Sequence, residues 1–190
     1  IADEVQVGFG RVGDAFWGFE LQDAVPDIIV LGKPIGNGHP LAAVIVTNEI
    51  ADAFNNGLEY FNTFGGNPVS MTTGLAVLDV IQEEEMQEHA KEVGNHLMDG
   101  LRKLMEKYPI ISDVRGHGLF IGAEMVKDRI TMEPAIPEID IVVEKMKEKG
   151  YLLSTDGPLH NVLKIKPPMP FNKQNADEMV LFLDVILSEI

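Results

Sequence analysis

The chain has 190 residues and not one cysteine. Disulfides, thiolate nucleophiles and cysteine-ligated zinc are therefore excluded. A cysteine-free chain fits a cytoplasmic protein. Positive charge is scarce as well. Lys and Arg number 15 against 30 Asp and Glu, which gives a formal net charge of −15. Reading a phosphate backbone needs clustered cations, so nucleic-acid binding is not expected. No run of about 18 apolar residues occurs, and no membrane-spanning helix is expected. His39, His117 and His160 stand apart, without metal-ligand spacing, so no metal is expected.

What remains is ordinary folded-protein material. Hydrophobic residues make up 45% and charged residues 24%, enough for a real core and too apolar for disorder. The first residues, "IADEVQ", lack Met and read as the end of a buried strand. An N-terminal part is expected to precede them.

From residue 1 to about Pro68, short apolar runs alternate with glycine-rich loops. "DIIVL" and "LAAVIVT" read as buried strands, with a helical turn at "DAFWGFEL" between them. Asn67 is a candidate N-cap and Pro68 a first helical residue, so a helix is expected from there to about Glu84. Met86, Ala90, Val93, Leu97, Leu101 and Leu104 recur every three or four residues, one apolar face of a further helix that Pro109 stops. "VRGHGLFIGAEMV" reads as a strand pair or a bent strand. Ile139, Val142, Val143 and Met146 mark another helix, ended by Gly150. "YLLS" and "VLKIK" read as strands. The last helix is expected to bury Ala176, Met179, Val180, Leu183, Leu187 and Ile190. The fold class is thus α/β. Residues 1–84 form part of a larger α/β domain, and residues 85–190 form a small α/β domain of mixed strand order.

One lysine stands out. In "IIVLGKPIGNGHP" Lys33 ends an aliphatic run and is followed by Pro34, Gly36, Gly38 and Pro40. Proline biases the residue before it towards extended dihedrals. An amine held near apolar walls loses its proton more easily, and a neutral lysine attacks aldehydes. The ordinary reading is a solvent-facing loop lysine. The second element is "DEVQVGFGRVG", where Asp3 ends a strand before three glycines. Following Ile1 and Ala2, it is expected to be partly buried, and a buried carboxylate needs a cationic partner. Its ordinary reading is an N-cap or a surface turn. Trp17, Phe16 and Phe19 read as core, and Met98 and Met105 as helical packing.

"IADEVQVGFGRVG", "DIIVLGKPIGNGHPLAAVIVT" and "FNTFGGNPVS", in this order, resemble the class III pyridoxal-phosphate aminotransferases. The likeness continues through "VRGHGLFIGAE" and "VLKIKPPMPF" and so covers essentially the whole chain. A full family member is about twice as long, so the chain resembles a C-terminal half. It implies a partial large domain with a mixed, mostly parallel sheet over residues 1–84 and the small C-terminal domain over 85–190. The cofactor implied is pyridoxal 5′-phosphate. Lys33 would hold it as a Schiff base and then act in proton transfer. Asp3 would pair with the protonated ring nitrogen, an interaction of about 4 kcal/mol at ~4 Å and an effective dielectric near 20. Val5 would press on one ring face and Gln6 would approach the phenolic oxygen. Thr63 would donate to the phosphate of the neighbouring subunit's cofactor, which implies a homodimer with shared sites.

Many family members carry an arginine in an R-x-x-P-P strand, where it grips a substrate carboxylate. This chain has Lys164 there, a point charge rather than a two-pronged fork. "NVLKIKPPM" is closer to the branch of ethanolamine-phosphate and phosphohydroxylysine phospho-lyases. Lys164 is thus a candidate substrate contact, with a solvated strand edge as its ordinary reading. Arg115 is a second candidate anion contact, or a structural ion pair. Three functions follow from the resemblance. The first is transamination of an amine or ω-amino acid with a keto-acid acceptor. The second is phosphate elimination from a phosphorylated amine. The third is a catalytically incomplete piece.

Overall fold

Three short strands open the chain: β1 (Ala2–Asp3), β2 (Ile28–Leu31) and β3 (Ala43–Val46), side by side in that order. In the computed structural model, which describes residues 1–190, β1 runs parallel to β2, with Ala2 opposite Ile29 and Asp3 opposite Val30. β3 runs antiparallel to β2, with Ile29 opposite Ile45. The sheet is therefore mixed. The "DIIVL" and "LAAVIVT" runs supply β2 and β3, as their β-branched content predicts.

Between β1 and β2 the glycine-rich stretch wraps an aromatic cluster. Phe9 is buried. Phe16 and Trp17 meet edge to face with ring centroids 4.8 Å apart, and Trp17 stacks on Phe19 at 6.3 Å. The expected helical turn is a short 3₁₀ segment over Gly18–Gln22. After β3 comes α1 (Asn48–Phe54), a short helix with no buried residue and no strong apolar period to announce it. Next is α2 (Pro68–Glu83). Asn67 caps it as expected, its side-chain oxygen accepting from the Ser70 amide at 2.9 Å.

α2 is apolar on several sides. Only Ser70 and Gly74 are buried, while Val69, Met71, Leu75, Leu78 and Val80 are exposed. Helices of that composition are normally covered.

The chain divides into two compact units, Ile1–Glu88 and His89–Ile190. Around the division begins α3 (Met86–Lys107). The second unit continues with β4 (Ile111–His117), β5 (Phe120–Asp128), β6 (Glu133–Pro134), α4 (Ile136–Glu148), β7 (Ser154–Asp156), β8 (Val162–Ile165) and α5 (Lys173–Leu187). "VRGHGLFIGAEMV" is a hairpin, β4 against β5. The sheet order is β4-β5-β8-β7, all antiparallel, with β6 on β5. On β5, Ile121, Ala123 and Met125 face the core, while Gly122 and Glu124 between them are only half-buried, the period of two that a half-buried strand requires. Leu97 and Leu101 of α3, Ile139, Val142 and Met146 of α4, and Met179 and Leu183 of α5 complete that core. Burying a leucine fully stabilises by roughly 2 kcal/mol. Met98 is buried and Met105 packs against the same core.

Two expectations shift. "YLLS" is not a strand over its length: β7 starts at Ser154 and pairs with β8 from there. Tyr151 is instead tied to α5, its hydroxyl donating to Glu178 Oε2 at 2.7 Å, and Leu152 is exposed. On α5, Ile186 joins the core, whereas Ile190 lies beyond the helix and is exposed. No helix is long and apolar enough to cross a membrane.

α3 meets the hairpin turn at van der Waals contact only because residue 94 is glycine. A Cβ on Gly94 would stand 2.0 Å from the Gly118 carbonyl oxygen. Backbone cannot swing aside as a side chain can. Gly94→Ala in the full-length protein is expected to cost roughly 2 kcal/mol or more, measured by urea unfolding. A change under about 0.5 kcal/mol, the ordinary scatter of surface substitutions, would show that the helix and the turn are not held this closely.

Candidate active site

Asp3 is the last residue of β1, and Lys33 follows the end of β2 by two residues. Because β1 and β2 are parallel neighbours, both residues leave the sheet at its carboxyl edge. That edge is where open α/β sheets place their ligands, since the strand ends and the loops after them form a crevice there.

Lys33 does not take the extended conformation that Pro34 predicts. Its φ is +38°, in the left-handed region, and it starts a 3₁₀ turn over Lys33–Ile35. The turn is closed by backbone bonds from Ile35 N to Gly32 O at 3.3 Å, Gly36 N to Lys33 O at 3.3 Å and Asn37 N to Pro34 O at 3.1 Å. Proline at the next position disfavours the right-handed helical region for Lys33, and the left-handed region still lets the chain turn. Such a conformation costs roughly 1–3 kcal/mol for a side chain other than glycine and concentrates at functional sites. The turn then needs Gly36, where a Cβ would sit 2.0 Å from the His39 carbonyl oxygen. Lys33 is exposed, and its Nζ has no hydrogen bond or ion pair within the chain.

Asp3 is exposed rather than partly buried. Its Oδ1 accepts from the Val5 amide at 3.1 Å, which bends the chain after β1. The buried acid is the next residue. Glu4 is 2% exposed, and its carboxylate accepts from Gly18 N at 2.7 Å and Phe19 N at 2.9 Å. Successive strand residues face opposite ways, so burying Glu4 turns Asp3 outward. The one signal in the sequence was the Asp-Glu pair itself, since one of two adjacent acids at a strand end must face inward. Val5 and Gln6 are half-buried. Both Cγ atoms of Val5 lie 3.5 Å from where a Cβ on Gly32 would stand, so Val5 closes on the backbone just before Lys33.

Thr63 lies in the loop before α2 and is exposed. Asn62 Oδ1 folds this loop by accepting from Phe64 N at 3.1 Å and Gly65 N at 2.9 Å. No hydrogen bond joins Thr63 to Asp3 or Lys33. Tyr60, Phe61 and Phe64 around it are all exposed.

In the second unit, Lys164 on β8 is engaged across the sheet by Asp156, Nζ to Oδ2 2.7 Å. The hydrogen bond from Lys164 holds the Asp156 carboxyl below its usual range. Arg115 pairs with Asp113 Oδ2 at 2.6 Å and Glu124 Oε2 at 2.7 Å, which raises its pKa. The ordinary reading of Arg115, a structural ion pair, is the one observed. Both cations line a cleft of about 470 Å³ with His117, Phe120, Gly122 and Asp156, and each already has a carboxylate partner.

The sequence profile described as "Aminotransferase class-III" matches residues 1–187. The chain belongs to the class III aminotransferases. Pyridoxal 5′-phosphate is the cofactor of that family. Among curated proteins the chain is 51% identical over 183 residues to an alanine–glyoxylate aminotransferase 2-like protein of Drosophila melanogaster, covering 95% of this chain and 37% of the relative. It is 46% identical over 191 residues to an ethanolamine-phosphate phospho-lyase homolog of Caenorhabditis elegans, covering 99% of this chain and 41% of that one. Among solved structures, a phospholyase from Arthrobacter in complex with phosphoethanolamine superposes with a TM-score of 0.94 at 39% identity, covering 99% of this chain and 44% of that one. The chain thus spans about two-fifths of the length of the curated relatives it matches.

The donor set fits the cofactor. An amine without an internal partner suits the aldehyde, and a carboxylate at the adjacent strand end suits a ring nitrogen. The buried Glu4 is what fixes that strand end. Glu4→Ala in the full-length protein is expected to destabilise by roughly 3 kcal/mol or more, because two amides lose charged acceptors. Glu4→Gln should lose less. Urea unfolding checks both, and equal stability of Glu4→Ala and wild type would remove Glu4 from this role.

Proposed function

We propose that the full-length protein is an aminotransferase that acts on an amine or ω-amino acid with a keto-acid acceptor. The observation that carries this is the placement of Asp3 and Lys33 at the carboxyl ends of two neighbouring parallel strands. Pyridoxal phosphate, when bound, supplies the electron sink for the bond changes at the substrate carbon. Lys33 would hold it through its amine and would move a proton at that carbon. Asp3 would keep the ring nitrogen protonated through a charge-assisted hydrogen bond. Val5 would lie against one ring face and Gln6 would approach the phenolic oxygen. Thr63 serves the phosphate of the neighbouring subunit's cofactor, so the protein works as a homodimer. The exposed apolar groups around it, Tyr60, Phe61 and Phe64, and those of α2 support a covered surface here. Its small-molecule partners are an amine and a keto acid. The cytoplasm is the proposed compartment, on the absence of cysteine, although relatives from Arabidopsis thaliana and Homo sapiens are named as mitochondrial.

Borohydride reduction of the loaded full-length protein should fix the cofactor on the peptide that contains Lys33, and Lys33→Ala should abolish the label. A label on Lys91, Lys103 or Lys164 would overturn the assignment. Asp3→Asn should retain cofactor yet slow turnover by at least about a hundredfold, or ~2.7 kcal/mol of barrier. A variant within about twofold of wild type, under ~0.5 kcal/mol, rules the role out.

A second reading is phosphate elimination from a phosphorylated amine. The likeness to the Arthrobacter phospholyase and Lys164 in place of an arginine favour it. Lys164 would then have to exchange Asp156 for the substrate's anion. The two readings part on one assay, full-length enzyme with O-phosphoethanolamine and no keto acid. Turnover of an amine only when a keto acid is added is the expected result. Inorganic phosphate released in step with acetaldehyde and ammonia would establish the second reading.

A further inference from the structure

The turn that carries Lys33 is anchored at its far end. The His39 ring Nε2 lies 2.8 Å from Ser70 Oγ, in the first turn of α2. Ser70 is 6% exposed. Its Oγ also accepts from Asn67 Nδ2 at 2.9 Å, and the same amide group donates to the Phe64 carbonyl at 2.8 Å. Phe64 is the neighbour of Thr63. One hydrogen-bonded chain therefore runs from the lysine turn, through His39, Ser70 and Asn67, to the loop that holds Thr63. Leu41, two residues after His39, closes against Gly74 one turn further along α2. A Cβ on Gly74 would stand 2.8 Å from Leu41 Cδ2.

The direction of the His39–Ser70 bond follows the ring's tautomer. Ser70 has one proton and already accepts from Asn67. Its proton can go to His39 Nε2, which places the ring's own proton on Nδ1. Ser70 and Asn67 are then bonded on both sides, the condition under which a part-buried polar network rigidifies what it joins. The turn has a reason to need such support. Its first residue is held in a left-handed conformation that it would leave if freed.

We propose that His39 is a positioning residue, which by its bond to Ser70 holds the Lys33 turn in register with the Thr63 loop. This rests on the reading of Lys33 as the cofactor lysine. Under the shared-site dimer, the two loops serve different cofactors, one in each subunit's site. His39 then fixes the geometry of both sites at once.

The test uses full-length His39→Ala, Ser70→Ala, their double variant and His39→Gln, whose amide can still bond the serine. Two readouts are taken. The first is amide hydrogen exchange over residues 33–40 and 57–66 in apoprotein. The second is the rate at which added pyridoxal phosphate becomes attached to Lys33, with the pH midpoint of its absorbance band. In His39→Ala and in Ser70→Ala, exchange in both segments should rise about tenfold or more, while β5 stays protected. Attachment should slow by a similar factor and the pH midpoint should move. The double variant should be no worse than either single one, because both cut one chain. His39→Gln should return within about threefold of wild type. Unchanged exchange in residues 33–40, a uniform rise over the whole fold, additive single effects, or no recovery in His39→Gln would each overturn the proposal. Failure of the Lys33 reading shows separately, as a reduced label on another lysine, and the exchange data then still decide whether His39 fixes the turn.

Discussion

The parallel pairing of β1 with β2 is the constraint on which the site depends. It involves only two residue pairs, Ala2 with Ile29 and Asp3 with Val30. A slip of one residue would flip each side chain of β1 to the other face. Glu4 prevents that slip. Its backbone amide donates to Val30 O at 3.0 Å, and its buried carboxylate is held by two amides from the 3₁₀ segment. Register, the outward turn of Asp3 and the packing of the aromatic cluster are thus one problem with one solution. An acid without catalytic work fixes the acid proposed to do it.

The second unit obeys simpler rules. Its core is built from apolar stripes of three helices against one face of an antiparallel sheet, and several of its charges are paired at the surface. The ion pairs of Lys164 and Arg115 lie partly in water, where such pairs add little stability. Their effect is on local potential. An anion entering this cleft would have to displace a carboxylate from Lys164 or Arg115.

Much of this was legible in the sequence. The period of α3, the N-cap at Asn67, the two strands of the first sheet and the strand pair, one of two readings, within residues 114–126 follow from local rules that tertiary packing did not override. Lys33 and Asp3 were marked by their neighbours and by their resemblance to a family. The misses have physical causes. Asp3 was expected inside because two apolar residues precede it, yet one of two adjacent acids had to turn outward, and Glu4 had the buried partners. Lys33 was expected extended because of Pro34, but a turn was needed within four residues. His39 looked like an isolated loop histidine because its partner, Ser70, is 31 residues away. Long-range hydrogen bonds leave no periodic trace. α1 was missed because it buries nothing, and without a buried face a short helix has no pattern.

Under its proposed role, the left-handed backbone of Lys33 sets chemistry against local strain. Glycine at this position would sit without that strain of roughly 1–3 kcal/mol, and its larger loss of conformational freedom on folding, roughly 0.5–1 kcal/mol, offsets only part of the gain. A chain selected for stability alone would therefore discard the lysine. On that reading the protein retains a fold slightly weaker than its backbone allows, and Lys33→Gly would exchange the proposed cofactor lysine for that stability.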